Sequence, residues 1–458
     1  MTTQTPPLVS LQDPKDVSID VIEAELANIW QNYGTDGDGI GATRATTFTF
    51  VVYDPEPTQH LLASLGFYTG PVDGIAGPRT VAAIKSAQKD YEIKVTGKPD
   101  QTLLDRLKKE LGKAKAEGKL TDVQQRASQK YTPDLEGTGI ADTIASANPC
   151  RIITLCPSVS EDKGVKAQVS AYCPVNQGNQ NTLVCCEYIT LHGSAEALER
   201  IGGIISDLII SGLSTFVWWK AEPNPEYGLF KRLVSQGDTL IIDSSIFRNP
   251  EEDLSRTIEM LVDVDDVSLA DLNWARLSPW QELTAAAFDP PERRNSVQEI
   301  DRVTIDYEKG NPAQALMFLG WIASRLQWKP VSYKHEGEEY DIRQVEFING
   351  ENKSIEAELA GVPLTDWGEV LGDLISLKLS STNLEADCCT VFCSGTTGCM
   401  RMEASGGAQA CRIEQVTSLA DQKTDQLLNK QLQRWGQDPL YKESMEVVDQ
   451  ILKLASQS

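Results

Sequence analysis

The chain is poor in histidine, in positive charge and in long apolar runs. Only three histidines occur in 458 residues, His60, His192 and His335. None belongs to a local ligand motif, so neither a metal nor a zinc hydrolase site is expected. Lys and Arg number 42 against 66 Asp and Glu, a formal net charge of −24. A surface of that sign repels a phosphate backbone and an anionic bilayer, so no nucleic acid and no membrane is expected as a partner. No stretch offers the roughly 20 apolar residues that a membrane span needs. The opening MTTQTPPLVSLQDPKD has no basic n-region and no apolar core of a signal peptide. The expectation is a soluble, cytoplasmic chain. Ten cysteines are too sparse for a secreted disulfide scaffold.

Motifs for nucleotide and acyl chemistry are lacking too, so no cofactor and no catalytic residue is expected. The loop GTDGDGIGA (34–42) precedes a strand, whereas a dinucleotide fingerprint follows a strand and opens a helix. Read as a calcium loop from Asp36, its twelfth position is Thr47, which is no carboxylate ligand. His192-Gly193-Ser194 lacks the G-x-S-x-G elbow, and Ser194 reads as a helix cap.

What is present is an α/β pattern, an interruption, and an α+β pattern. An amphipathic helix is expected over Val17–Trp30 and a strand over Thr46–Tyr53. From Arg151 strands and helices alternate through TFVWW and TLIIDSS to a helix near Pro250, as in a mixed sheet covered by helices. Beyond about residue 290 come a strand, the helix Pro312–Leu326, six strand-like runs and two final helices. This predicts a C-terminal domain built on an antiparallel sheet, with Asn349-Gly350 as a hairpin turn. The resulting division is an α/β domain in two pieces (1–54 and 146–290), a small all-α module (55–120), a linker (121–145) and an α+β domain (291–458).

Two strand ends and one hairpin stand out. Asp243, Ser244 and Ser245 follow the strand LIID, and ligands of open α/β sheets gather at such ends. Trp218 and Trp219 end another strand; they serve as core packing or as a partner contact. Cys393 and Cys399 flank SGTTG, a turn able to bring two Cα atoms within bridging range, and are the redox candidates. The remaining cysteines read mostly as buried thiols.

Two resemblances follow from longer motifs. LLASLGFYTGPVDGIAGPRTVAAIKSAQ resembles the small helical peptidoglycan-binding module, through Gly66, Phe67, Tyr68, Gly70, Asp73, Gly74, Gly77, Thr80 and Gln88. Between Glu56 and Lys119 there are 11 basic and 8 acidic residues, a local net of +3 that leaves −27 for the rest. Such a module suits docking on the acidic body or on a partner. CRIITLCPS, VCCEYITL, FVWWKAEPNPEYGLFKRLVSQGDTLIIDSSIF and LNWARLSPWQELTAAAFD resemble the glucose-6-phosphate dehydrogenase assembly family, OpcA, in a cyanobacterial-type form with the helical module inserted. That resemblance implies a non-enzymatic assembly factor and allosteric activator of the oligomeric dehydrogenase in the oxidative pentose phosphate pathway. It also implies thioredoxin control through cysteines. The alternative is a cell-wall-associated protein that holds peptidoglycan through the helical module.

Overall fold

In the computed structural model the described residues are 8–33, 41–44, 46–70, 72–117, 144, 148–174, 182–263, 267–291, 293–336, 341–363, 370, 372–383, 387–394, 399–406, 413–418, 423–434 and 436–455. The expected loop at 34–42 falls mostly outside them, as does all but Ile144 of the linker. They form two compact units. The first comprises 1–242, 266–269 and 428–435, the second 243–265, 270–427 and 436–458.

Unit 1 opens with a strand, β1 (Leu8–Val17), ahead of the helix that is the first element expected from the sequence. Asp13 and Pro14 hide this strand from a pattern reading, and register shifts between Ser10 and Lys15 absorb them. The helix α1 (Ile22–Tyr33) therefore begins later than its hydrophobic stripe suggested. Next come β2 (Gly41–Arg44), β3 (Phe48–Tyr53), α2 (Thr58–Ser64), α3 (Pro78–Asp90) and α4 (Gln101–Ala116). They are followed by β4 (Arg151–Ser158), β5 (Lys166–Pro174), β6 (Thr182–Ser194), α5 (Ala195–Arg200), α6 (Gly202–Asp207), β7 (Ser214–Trp219), α7 (Gly228–Gln236) and β8 (Thr239–Ile242). The strand β9 (Ser268–Asp271) flanks β8.

The sheet runs β1-β5-β6-β4-β3-β7-β8-β9, with β2 paired to β6. β6, β4, β3, β7 and β8 are mutually parallel, while β1, β5 and β6 are joined antiparallel, so the expected mixed sheet is found. Parallel strands are covered on both faces, which is why β3 is buried at all six positions. Starting from β3, the chain adds β4 and β6 on one side and then crosses to add β7, β8 and β9 on the other. That is the strand order of the doubly wound dinucleotide folds, with its switch point between β3 and β7. An ion cluster built on the buried Arg151 and Glu187 holds α1 to this sheet. Arg151 Nε donates to Glu187 Oε2 at 2.8 Å, its Nη2 to Glu23 at 3.2 Å, and Trp30 donates its indole N–H to Glu187 Oε1 at 2.5 Å.

The helical module has its own core of Leu61, Leu62, Ile84, Ala87, Leu103 and Leu107. Two glutamines pin its two loops in the same way. The Gln59 amide donates to Ile75 O at 2.9 Å and accepts from Gly74 N at 2.7 Å. The Gln88 amide donates to Lys98 O and accepts from Gly97 N, both at 2.9 Å. Gly74 and Gly97 have φ +77° and +72°, so both loops need glycine.

Unit 2 begins at Asp243 and contains α8 (Pro250–Asp263), the end of β9, α9 (Leu272–Ala275), α10 (Ser278–Phe288), β10 (Arg302–Glu308) and α11 (Ala313–Leu326). Next are β11 (Lys329–Glu336), β12 (Asp341–Ile348), β13 (Ser354–Val362), β14 (Leu374–Ser380), β15 (Asp387–Ser394), β16 (Cys399–Gly406) and β17 (Ile413–Ser418). The helices α12 (Thr424–Leu432) and α13 (Pro439–Ala455) end the chain. Its sheet runs β11-β12-β13-β10-β14-β15-β16-β17. The expected antiparallel sheet is corrected to a mixed one, because β10 and β13 pair in parallel. The helix α11 carries the chain back after β10, and the β11–β12 hairpin then returns β13 beside β10 in the same direction. The helices α11 and α13 cross closely where Gly320 meets Ser444, whose Oγ donates to Met317 O at 2.7 Å.

Candidate functional site at the start of unit 2

Asp243 directly follows β8 and caps a 3-10 turn at Ser244–Ile246. Its two carboxylate oxygens receive Arg276 Nη1 and Nη2, each at 2.8 Å, in a two-pronged pair. Oδ1 also accepts from Ser245 Oγ at 2.6 Å. Burial alone would lift this carboxyl, but the Arg276 guanidinium more than offsets it and holds the group below the usual carboxylate range. Arg276 is 1% exposed, so the pair is a desolvated one.

The neighbouring residues complete a closed network. Ser244 N donates to Asp271 Oδ1 at 2.9 Å, and Asn273 N donates to the same oxygen at 2.9 Å. Asn273 Nδ2 donates to Ser244 Oγ at 3.1 Å. Asn311 Nδ2 reaches the carbonyls of Ser244 and Ser245 at 3.0 and 2.9 Å. Gln314 Nε2 donates to Asn273 Oδ1 and to Asp373 Oδ1, both at 2.8 Å. Gly372 is part of the fit, since a Cβ there would stand 2.0 Å from Asn311 O. Asp271 differs from Asp243. Its hydrogen bonds come from backbone amides rather than from a guanidinium. Burial, reinforced by the Asp243 charge, pushes its carboxyl up to about 6.

The structure thus brings Asp243, Ser244 and Ser245 together with Arg276, Asp271, Asn273, Asn311 and Gln314. Sequence reasoning missed the last five. Only Arg276 carried a signal, as a lone cation in the apolar run LNWARLSPW. Both carboxylate oxygens of Asp243 and both prongs of Arg276 are spent on internal bonds, and Ser244 is 0% exposed. Chemically the arrangement is a clamp that fixes a turn. Among the described residues no group of three or more His, Cys, Asp or Glu is placed to hold a metal ion.

Trp218 and Trp219 end β7 in unit 1 and are buried, at 4% and 1% exposure. Trp219 stacks on Tyr53 with ring centroids 3.7 Å apart, and Trp218 lies parallel to Phe50. Lys220 Nζ sits 5.0 Å from the Trp218 ring centroid and 2.9 Å from Asp54. Of the module residues Gly66, Tyr68, Gly70, Asp73, Gly74, Gly77, Thr80 and Gln88, all but Asp73 and Gly74 make their described contacts within the module, and those two also meet Tyr53 and Pro157 of the sheet. Tyr68 lies over Gly70, Gly66 has φ +82°, and Gly77 caps α3.

The cysteines divide. Cys173 and Cys185 are joined in a disulfide between β5 and β6, packed against Leu11 and Trp30. The reading of strand cysteines as buried thiols missed this bridge. Cys150 and Cys156 lie in or beside the strands as thiols, and burial pushes Cys156 up to about 12. In the β15–β16 hairpin, Cys393 is opposite Met400 and Ser394 is opposite Cys399. The two redox candidates are one step out of register, and their thiols lie outside the described residues.

Two family models, for the N-terminal and the C-terminal domain of a "Glucose-6-phosphate dehydrogenase subunit", match residues 141–259 and 267–445 respectively. "Putative OxPP cycle protein OpcA" from Synechocystis sp. is 60% identical over 99% of this chain and 95% of its own length. The chain belongs to the OpcA family. The OpcA protein of Nostoc punctiforme is 55% identical, over 100% of this chain and 97% of its own. That of Synechococcus elongatus is 50% identical, over 98% of both chains. A model described as "Putative peptidoglycan binding domain" matches residues 56–107, inside this OpcA-family chain. An oxidoreductase structure from Sinorhizobium meliloti aligns with a TM-score of 0.38 at 10% identity, over 57% of this chain and 82% of its own. Among the described residues no helix is long and apolar enough to cross a membrane.

Proposed function

We propose that this chain is a non-enzymatic, cytoplasmic assembly factor and allosteric activator of glucose-6-phosphate dehydrogenase in the oxidative pentose phosphate pathway. The observation that carries the reading is its membership of the OpcA family, with dehydrogenase-subunit models matching 141–259 and 267–445. The pairing of Asp243 with Arg276 supports the non-enzymatic part, because that carboxylate and that guanidinium are already spent on one another. To activate, the chain must bind one state of the dehydrogenase better than another.

The regulatory part of the proposal is thiol–disulfide exchange at Cys393 and Cys399. A thioredoxin dithiol is oxidised to its disulfide as the Cys393–Cys399 bridge is reduced to two thiols. These positions are one step out of register in the hairpin, so bridging them requires its end to re-pair, which alters its shape. The test is a dehydrogenase assay with glucose 6-phosphate and NADP, with and without this chain, after reduction and after oxidation. The reading expects a lower KM or a higher rate with the chain, and a redox difference that Cys393→Ser abolishes. An unchanged rate in both states refutes it.

A further inference from the structure

In doubly wound sheets the ligand lies outside the carboxyl ends of the strands at the switch point, and the first strand runs through a glycine-rich turn into a helix that cradles the pyrophosphate. Here the corresponding strand is β3. It ends at Tyr53 and is followed by Asp54-Pro55-Glu56-Pro57, with no glycine. At this point the helical module is inserted.

The module's Asp73-Gly74 loop returns to the same strand ends. Tyr53 donates its hydroxyl to Asp73 O at 2.8 Å, and both residues are buried. A Cβ at Gly74 would stand 2.8 Å from Pro157 of β4 and 3.2 Å from Pro55. The chain after β3 is tied to the end of β4 through Asp54 N to Leu155 O and Glu56 N to Pro157 O, each at 2.9 Å. Val159, just beyond β4, belongs to the module's own hydrophobic core, and Lys98 of the module pairs with Glu161. Across the switch point the Tyr53 ring lies flat on Trp219 of β7, so aromatic surface fills the place between the two strands.

We infer that the helical module is the resident occupant of this strand-end crevice: its Asp73-Gly74 loop is bound by the chain's own β3 and β4 in place of a dinucleotide, and is committed there rather than to a glycan. The insertion then has a physical role that its family description does not state. It closes the one place where this strand order normally takes a ligand, and it makes module and sheet a single packed body.

The full-length chain tests this by hydrogen exchange with mass-spectrometric readout. Amides of 73–76 and 155–161 are expected to exchange slowly and together. Tyr53→Phe removes only the hydroxyl that holds Asp73 O, and should speed exchange at 73–76 by about twofold to tenfold. Gly74→Val should release both segments; if that variant fails to fold, Tyr53→Phe still decides. Titration with NADP to millimolar concentration should leave exchange at 53–56 unchanged, and the chain should not be retained on purified sacculi. The inference is overturned by unchanged exchange at 73–76 in the Tyr53→Phe variant. It is equally overturned by NADP-dependent protection of 53–56, or by sacculus retention that Gly74→Val abolishes. None of these readouts uses the dehydrogenase, so the result stands apart from the proposed function.

Discussion

Asp271→Asn should stabilise the protein at neutral and alkaline pH, and the gain should vanish in acid. The Asp271 carboxyl is 3% exposed and titrates at about 6 in the fold, against 3.8 as the ordinary value. The folded state therefore holds this proton more tightly than the unfolded chain. Stability from this group is fully present below the unfolded value of 3.8 and is lost as pH rises through about 6. A gap of about two units corresponds to about 3 kcal/mol of cost above pH 7. Asparagine keeps Oδ1 as acceptor for Ser244 N and Asn273 N but removes the charge that faces Asp243. Some charge assistance in those two bonds is lost, which trims the expected gain to about 1–3 kcal/mol.

The assay is urea denaturation of wild type and variant at pH values from 4 to 8, followed by tryptophan fluorescence. Comparing the pair at each pH cancels the other titrating groups, which are common to both. The expected difference is near zero at the acid end and reaches its full size above about pH 7. A constant difference across the range, or a variant less stable than wild type at pH 8, refutes the assignment of Asp271 as an ionised, uncompensated buried carboxylate.

Asp243→Ala leaves Arg276 buried without its carboxylate and should cost about 3–5 kcal/mol in the same assay, so most of the purified variant should be destabilised or insoluble. Gly320→Val places a Cβ only 2.6 Å from Ser444 O, and should lower stability by about 1–3 kcal/mol in the same denaturation series. Cys173 and Cys185 should resist alkylation in the unfolded, unreduced protein; Cys173→Ser should lose about 3 kcal/mol of stability under oxidising conditions and far less once wild type is reduced.

The elements that sequence reasoning placed well are those whose pattern is local. The β3, β4, β7 and β8 segments are short runs of β-branched and aromatic residues, and α11 is apolar all round, as a buried helix must be. Strand direction is not local. Nothing in RVTIDYE or SIEAELAGV states that they pair in parallel, because that depends on how α11 and the β11–β12 hairpin return the chain. The strand β1 was hidden for the opposite reason, since its irregular register accommodates an Asp-Pro step that reads as a loop.

The strand-end site shows the same division. Asp243, Ser244 and Ser245 could be singled out because they directly follow an apolar strand. Their partners Asn273, Arg276 and Asn311 lie 29 to 67 residues away in sequence, and only the fold brings them into hydrogen-bonding range. Their arrival changes the meaning of the site. A solvated Asp-Ser-Ser at a strand end is a candidate for ligand binding, whereas the same residues enclosed by a guanidinium and two amides form a satisfied buried network, which rigidifies a turn. At β3 the change is of the same kind. The strand order alone points to a dinucleotide, but the missing glycine turn and the Tyr53–Trp219 stack turn the switch point into a packing joint. In both places the groups that determine the chemistry are supplied by distant parts of the chain, and the nearest sequence motif shows only where to look.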